Sequence, residues 1–293
     1  TLLSLLLESP PQYFFLWEEH KPSRMKLFNL LLCFAIFASL FVYKSSAFAA
    51  PNLSLNSLEL KYFNAKGAAE TVRIILALTN TPYKDTRFEI PPGSMESPEF
   101  KAAKEAGDLD MNLGRAPILI VNNQEVIGQS RSIERFLAKQ TGLMGSTAIE
   151  EAQIDCIAEH CRDVKDMAQR KGFSAFAKNK SDEEKANARK EWFEQDLPLM
   201  LQKIESAVRM TSKESGYTVG SSTSYADVCI FSLLRDCTMQ MDQEETLEAA
   251  KGCQLLMSIA DRISKEDGVA RWIEQRPVGW FDQLGMKKKE TDQ

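Results

Sequence analysis

Near Gly142 the hydrophobic periodicity of this chain changes kind, and that change limits its possible folds more than any other feature. From Leu58 to about Gly142, strand and helix signals interleave. Leu58, Leu60 and Tyr62 alternate with polar residues, and after Gly67 the residues Val72, Ile75, Leu76 and Thr79 recur at helical spacing. Tyr83 to Ile90 reads as a second strand, and SPEFKAAKEAG as a short helix or helical loop. PILIV at 117 to 121 is a strand that turns through NNQ into an antiparallel partner, EVIGQ. SRSIERFLAKQTG then forms a helix with Ile133, Phe136 and Leu137 on one face and Gly142 just past its end.

After Ser146 the pattern is helical throughout. Thr147 and Glu150 make a T-x-x-E capping box, followed by apolar Ile149, Ile154, Ile157, Val164 and Met167. Ser181 caps a helix running through WFEQDLPLMLQKIE, where Pro198 should introduce a kink because proline lacks the N–H and clashes with the preceding turn. Ser224 with Asp227 is a third cap, and GVARWIEQRP the final helix. Strand, helix, strand, then strand, strand, helix is the order of a thioredoxin-like α/β domain. The predicted organisation is therefore a thioredoxin-like domain over 57–142 and an all-α domain over 146–280.

The 293 residues, 44% of them apolar, suffice for a sizeable core. A formal charge of -5 with interleaved signs gives no basic stripe, so no nucleic-acid partner is expected. The KKK run at 287–289 reads as a solubilising tail, and KNKSDEEKANARK as a solvated face. His20 and His160 are the only histidines, which argues against Ser-His-Asp hydrolysis and a histidine-rich metal site. The six cysteines include no C-x-x-C pair. Beyond Cys33, the residues Cys156, Cys161, Cys229, Cys237 and Cys253 read as buried reduced thiols.

Residues 1 to about 50 are set aside from the fold. Met25 is the natural initiator; Lys26, the apolar run LFNLLLCFAIFASLFVY and the small residues Ser45 and Ala47 follow in signal-peptide order. The alternative is a membrane anchor, since the run approaches the ~20 residues a span needs. SSAFAAP, with Phe48 after the expected cut, resembles the junction of plastid preproteins delivered through the secretory route. Plastid import is the expectation, with endomembrane residence or secretion as the alternative, and no membrane association once the leader is removed.

Tyr62, at the end of a strand and just before a turn and helix, is either packing or a hydrogen-bond donor aimed at a ligand. The surrounding YFNAKGAAETVRIILAL resembles the first strand and helix of cytosolic-type glutathione transferases, nearest the sigma pattern Y-F-N-x-R-G-R-A-E. GRAPILIV, GQSRSIERFLA, LPLMLQKIE, the Ser224–Asp227 cap and WIEQRP resemble further segments of that family in order, from about Leu58 to Pro277. The resemblance implies glutathione as co-substrate, a two-fold homodimer, and an apolar electrophile bound between the two domains.

It further implies that Tyr62 activates the glutathione thiol and that Pro117 is a cis-proline exposing the Ala116 backbone to the cysteinyl part of the tripeptide. Gln129 and Ser130 would hold the γ-glutamyl end, and Lys101 the glycyl carboxylate, with Lys104 in competition. Asp163 would reach the γ-glutamyl amine of the partner subunit, the alternative being a plain surface acid. Lys66 and Ala68 stand where the sigma pattern has arginines, and Ser97 where it has a tryptophan. These departures leave open a non-catalytic carrier or scaffold, and within the enzymes a glutathione-dependent isomerase or peroxidase.

Overall fold

The computed structural model describes residues 54–94, 96–174, 177, 179–236 and 242–283. The expected leader, Cys237 and the 287–289 lysines lie outside the described residues. The α/β half contains β1 (Leu58–Phe63), α1 (Glu70–Leu78), β2 (Lys84–Phe88), α2 (Pro98–Glu105), β3 (Ile118–Val121), β4 (Glu125–Gly128) and α3 (Ser130–Gln140). The strands form one sheet in the order β2-β1-β3-β4, with β1 parallel to β2 and antiparallel to β3, and β3 antiparallel to β4. The β3–β4 turn places Asn122 and Asn123 at φ 54° and 58°, a left-handed region asparagine tolerates. The expected thioredoxin-like order is the order observed.

The helical half contains α4 (Ala148–Lys171), α5 (Asp182–Glu191), α6 (Leu197–Ser212), α7 (Tyr225–Leu234), α8 (Gln243–Ala249), α9 (Gln254–Ser264), α10 (Asp267–Gln275) and α11 (Trp280–Gln283). Every residue of α7 is buried, and α4, α9 and α1 pack around it. Apolar side chains of both halves thus share one core. A smaller cluster of Phe88, Leu109 and Ile118, with Phe63 and Phe100 packed on it, forms separately from that core. Among the described residues no helix is long and apolar enough to cross a membrane.

All three predicted caps form. Thr147 and Ser181 each accept from the backbone three residues on, with Glu150 and Glu184 reaching back. Asp227, fully buried, accepts from the Ser224 N–H at 3.0 Å, from the Thr218 hydroxyl at 2.6 Å and from Arg262 at 3.0 Å. Thr147→Ala removes the acceptor for the Glu150 N–H, 3.1 Å away, and should lower stability by about 1 kcal/mol in a denaturant titration.

The predicted disturbance at Pro198 takes a specific form. A five-residue π turn, Trp192–Asp196, separates α5 from α6 and puts Pro198 in the first turn of α6. Widening the turn ahead of a proline accommodates both its ring and its missing N–H. Two expectations need correction. Ile149 is exposed, because it falls in the capped first turn on the solvent side. Cys156 is also exposed, on the outer face of α4 four residues before His160, whereas Cys161, Cys229 and Cys253 are buried and unpaired.

Candidate active site

The sheet register brings three predicted residues to one place. The β1–β3 ladder ends at Lys61↔Ile118 and the β3–β4 ladder at Ile118↔Gly128. The next position on each strand is Tyr62, Pro117 and Gln129, so all three stand at the same end of the sheet. The Ala116–Pro117 peptide is cis, and both residues lie beyond the last ladder pair. Asn112 donates to the Pro117 carbonyl at 2.9 Å.

The Tyr62 side chain points under the turn that follows it. The Ala68 N–H donates to the phenolic oxygen at 3.0 Å, so the phenol accepts one bond and keeps its own proton for another partner. Gly67, at φ 45°, lies so close to the phenol that a Cβ there would collide with the hydroxyl. Burial pushes the phenol above its ordinary pKa, against the Ala68 N–H and Arg73, which favour the phenolate. The group is therefore a neutral donor near pH 7.

Arg73 holds this turn from below. Its fully buried guanidinium lies 5.9 Å from the Tyr62 ring centre and donates to the Ala65 carbonyl at 2.7 Å. It is paired with Glu70 and Asp85, each at 3.2 Å. Glu70 in turn accepts from Trp272 and Arg276 at 2.8 Å. Burial opposes ionisation of Glu70, but Arg73 and Arg276 outweigh it and hold the carboxyl below the usual range. Above the turn, the Lys66 N–H donates to Asp282 at 3.0 Å, and Gly279 packs directly on the Asn64 carbonyl. Chain from 277 to 283 thus straps the turn that carries Tyr62.

The other predicted residues are more dispersed. Gln129, exposed, enters α3 at φ 64°, and Ser130 is the first residue of that helix. Non-glycine residues in that region are often held there for function, and free N–H groups at a helix start favour an anion. Lys101 is exposed and 4.0 Å from Glu105, while the Lys104 stem lies over Gly114. Asp163 is exposed on α4, beside Arg162. Among the described residues no His, Cys, Asp and Glu cluster could hold a metal.

A cavity of about 350 Å³ opens in the helical half, lined by Val164, Ala168, Phe173, Trp192 and Leu233 among others. Its wall includes Ser232, whose hydroxyl lies 3.4 Å from that of Thr71 on α1. Thr71 follows Ala68 by three residues, so this wall adjoins the helix that starts at the Tyr62 turn.

Comparison with known proteins accounts for the arrangement. Residues 58–139 match the model for the glutathione S-transferase N-terminal domain, and 165–276 the model for its C-terminal domain. The Caenorhabditis elegans protein Glutathione S-transferase 4 is 32% identical over 195 residues, 65% of this chain and 86% of that protein. The chain belongs to the glutathione S-transferase family. Drosophila melanogaster Glutathione S-transferase S1 is 30% identical, covering 76% of this chain and 80% of that one. A solved Nu-class transferase from Haemonchus contortus is 26% identical with TM-score 0.59, covering 76% of this chain and 98% of that one. The protein is a glutathione transferase, with glutathione as its co-substrate.

The structure gives this transferase's departures physical roles. Ala68 lacks a charged side chain, yet the bond to Tyr62 comes from its backbone and survives the replacement. Lys66 extends to Asp236 at 3.6 Å, and Asp236 also pairs with Arg276 at 2.9 Å. Ser97, buried, is the N-cap of α2 and accepts from the Phe100 N–H at 3.3 Å. Arg73 and Asp282, which hold the turn, are not among the predicted site residues. An arginine inside the apolar helix ETVRIILAL, three residues after a glutamate, was the available signal for a buried pair.

Proposed function

We propose that Tyr62 donates its phenolic proton to the sulfur of bound glutathione, stabilising the thiolate that attacks an electrophilic carbon. The observation that carries this reading is the 3.0 Å bond from the Ala68 N–H to the phenolic oxygen, which polarises a neutral phenol whose proton remains available. A hydrogen bond to a charged group contributes roughly 1.5–3 kcal/mol. One pKa unit is ~1.4 kcal/mol, so one such bond lowers a thiol of pKa ~8.5 by about one to two units.

In this reading Ala116 pairs through its backbone with the cysteinyl unit, Gln129 and Ser130 hold the γ-glutamyl end at the start of α3, and Lys101 serves the glycyl carboxylate. Asp163 reaches the partner subunit's glutathione in a homodimer. The electrophile occupies the cavity lined by Phe173 and Trp192, where holding two reactants together supplies much of the acceleration.

The test is a titration of thiolate absorbance in the protein–glutathione complex. The wild type should ionise bound glutathione about one to two units below the free thiol, and Tyr62→Phe should return it close to the free value. Equal thiol ionisation in both proteins would refute the role of Tyr62.

A further inference from the structure

Residues 277–283 follow the segment that matches the C-terminal domain model, which ends at 276, and they return to the turn between β1 and α1. That turn has little of its own to hold it. The short 3-10 turn Gly67–Ala69 and the α1 helix behind it are not capped by the side chains of their own N-cap residues, Lys66 and Ala69. Gly67, with no Cβ, restrains its backbone least of all. N–H groups at a helix start need acceptors, and two come from other elements. The Tyr62 phenol accepts from the Ala68 N–H, and Asp282 from the Lys66 N–H, each at 3.0 Å. A carboxylate is favoured at this end of a helix.

Three further contacts complete the clamp. Gly279 is buried against the Asn64 carbonyl, so close that a Cβ would lie 1.7 Å from its oxygen. Arg73 holds the Ala65 carbonyl at 2.7 Å, and the Lys66 ammonium reaches Asp236, just past α7, at 3.6 Å. Val278 is exposed, and a polar cavity of about 180 Å³ is lined by it and Pro277. The fastening here is therefore polar rather than hydrophobic. We infer that Asp282 is a positioning residue for the reaction: by fixing the Lys66 N–H it aims the Ala68 N–H, two residues on, at the phenol that serves the thiolate. This rests on the reading of Tyr62 as the donor to sulfur. The role belongs to the hydrogen bond and not to the charge. Burial, with the Asp282 carboxylate in addition, raises the phenol against the Ala68 N–H and Arg73, so that charge keeps the proton on Tyr62 and does not itself favour a thiolate. The other charged groups at Asp282 are Lys66, Arg235, Asp236 and Arg276, which line the same cavity.

The experiment follows kcat, KM for glutathione and the pH–rate profile in the wild type, Asp282→Ala, Asp282→Asn and Tyr62→Phe, and in Tyr62→Phe combined with Asp282→Ala. Asp282→Ala should lower kcat about 3- to 10-fold and move the pH midpoint up by about half a unit to one unit, the worth of one neutral hydrogen bond to the phenol, with KM for glutathione unchanged. Asp282→Asn keeps an acceptor for the Lys66 N–H and should stay within about twofold of the wild type. In the Tyr62→Phe background Asp282→Ala should move the midpoint no further, because its effect passes through the phenol. An Asp282→Ala protein with the wild-type midpoint, even one of lower melting temperature, would overturn the inference, as would an Asn variant as slow as the Ala one. A Tyr62→Phe protein that itself keeps the wild-type midpoint would show that the reading of Tyr62 has failed separately. Amide hydrogen exchange then decides the role of Asp282: Asp282→Ala should speed exchange at Lys66 and Ala68, and unchanged protection at both would count against it.

Discussion

Turnover of a generic aryl halide should fall roughly 10- to 100-fold when Tyr62 is replaced by phenylalanine, the kinetic equivalent of losing one hydrogen bond to a charged sulfur. The substitution is conservative toward the fold. The ring keeps its edge-on contact with Phe63, centroids 5.4 Å apart, and its place near Arg73 at 5.9 Å. Only the Ala68 N–H loses an acceptor. Retention on immobilised glutathione should persist, because the proposed site assigns the carboxylates and backbone of the tripeptide to groups other than the phenol. The pH–rate profile should shift up by about one to two units, toward the free thiol. Unchanged turnover in a retained, folded Tyr62→Phe protein would rule out phenol activation.

Arg73→Met carries the largest expected loss of stability. The arginine is fully buried and serves Glu70, Asp85 and the Ala65 carbonyl together. Removing one member of a buried ionic group leaves the others uncompensated and costs about 3–5 kcal/mol. For a domain of this size that lowers the melting temperature by roughly 6–20 °C.

The loss should depend on pH. Glu70 is held below the usual carboxylate range in the folded protein, so its contribution is present above pH ~4.3 and disappears as pH falls through its lower folded value. Without Arg73 the buried carboxyl binds protons more readily, and acid relieves its unpaired charge. The stability gap between wild type and Arg73→Met should therefore narrow as pH falls below ~5. Asp236, which burial raises despite Arg276 and Lys66, works in the opposite direction: its ionised form opposes folding near neutrality, and acid removes that penalty in both proteins alike. Melting temperatures of the two proteins across the acid range provide the measurement, and a constant gap would contradict the proposed coupling.

Much of the framework was legible because its signals are short-range. The alternation of Leu58, Leu60 and Tyr62 makes a strand whose apolar side must find a core. The three capping residues act on backbone groups three positions away, and all three caps form. Pro198 announces a disturbed helix from its ring alone, although the π turn that absorbs it is a property of the whole α5–α6 segment. Ile149 and Cys156 were misjudged because one helix offers several faces, and only its neighbours decide which face is buried.

The order of strands and helices, the helix ends and the position of a tyrosine at a strand end were all encoded in local patterns, where each residue acts on neighbours a few positions along the chain. The tertiary structure alone decided what that tyrosine meets. The phenol finds the Ala68 N–H because Gly67 lets the turn fold down onto it. The turn is fastened by Asp282, 216 positions from Lys66, and Glu70 by Trp272, 202 positions away. The cavity of the helical half is assembled from separate helices. Hydrogen bonds and ion pairs depend on distance in space, and pairs this remote in sequence acquire a distance only when the chain has folded.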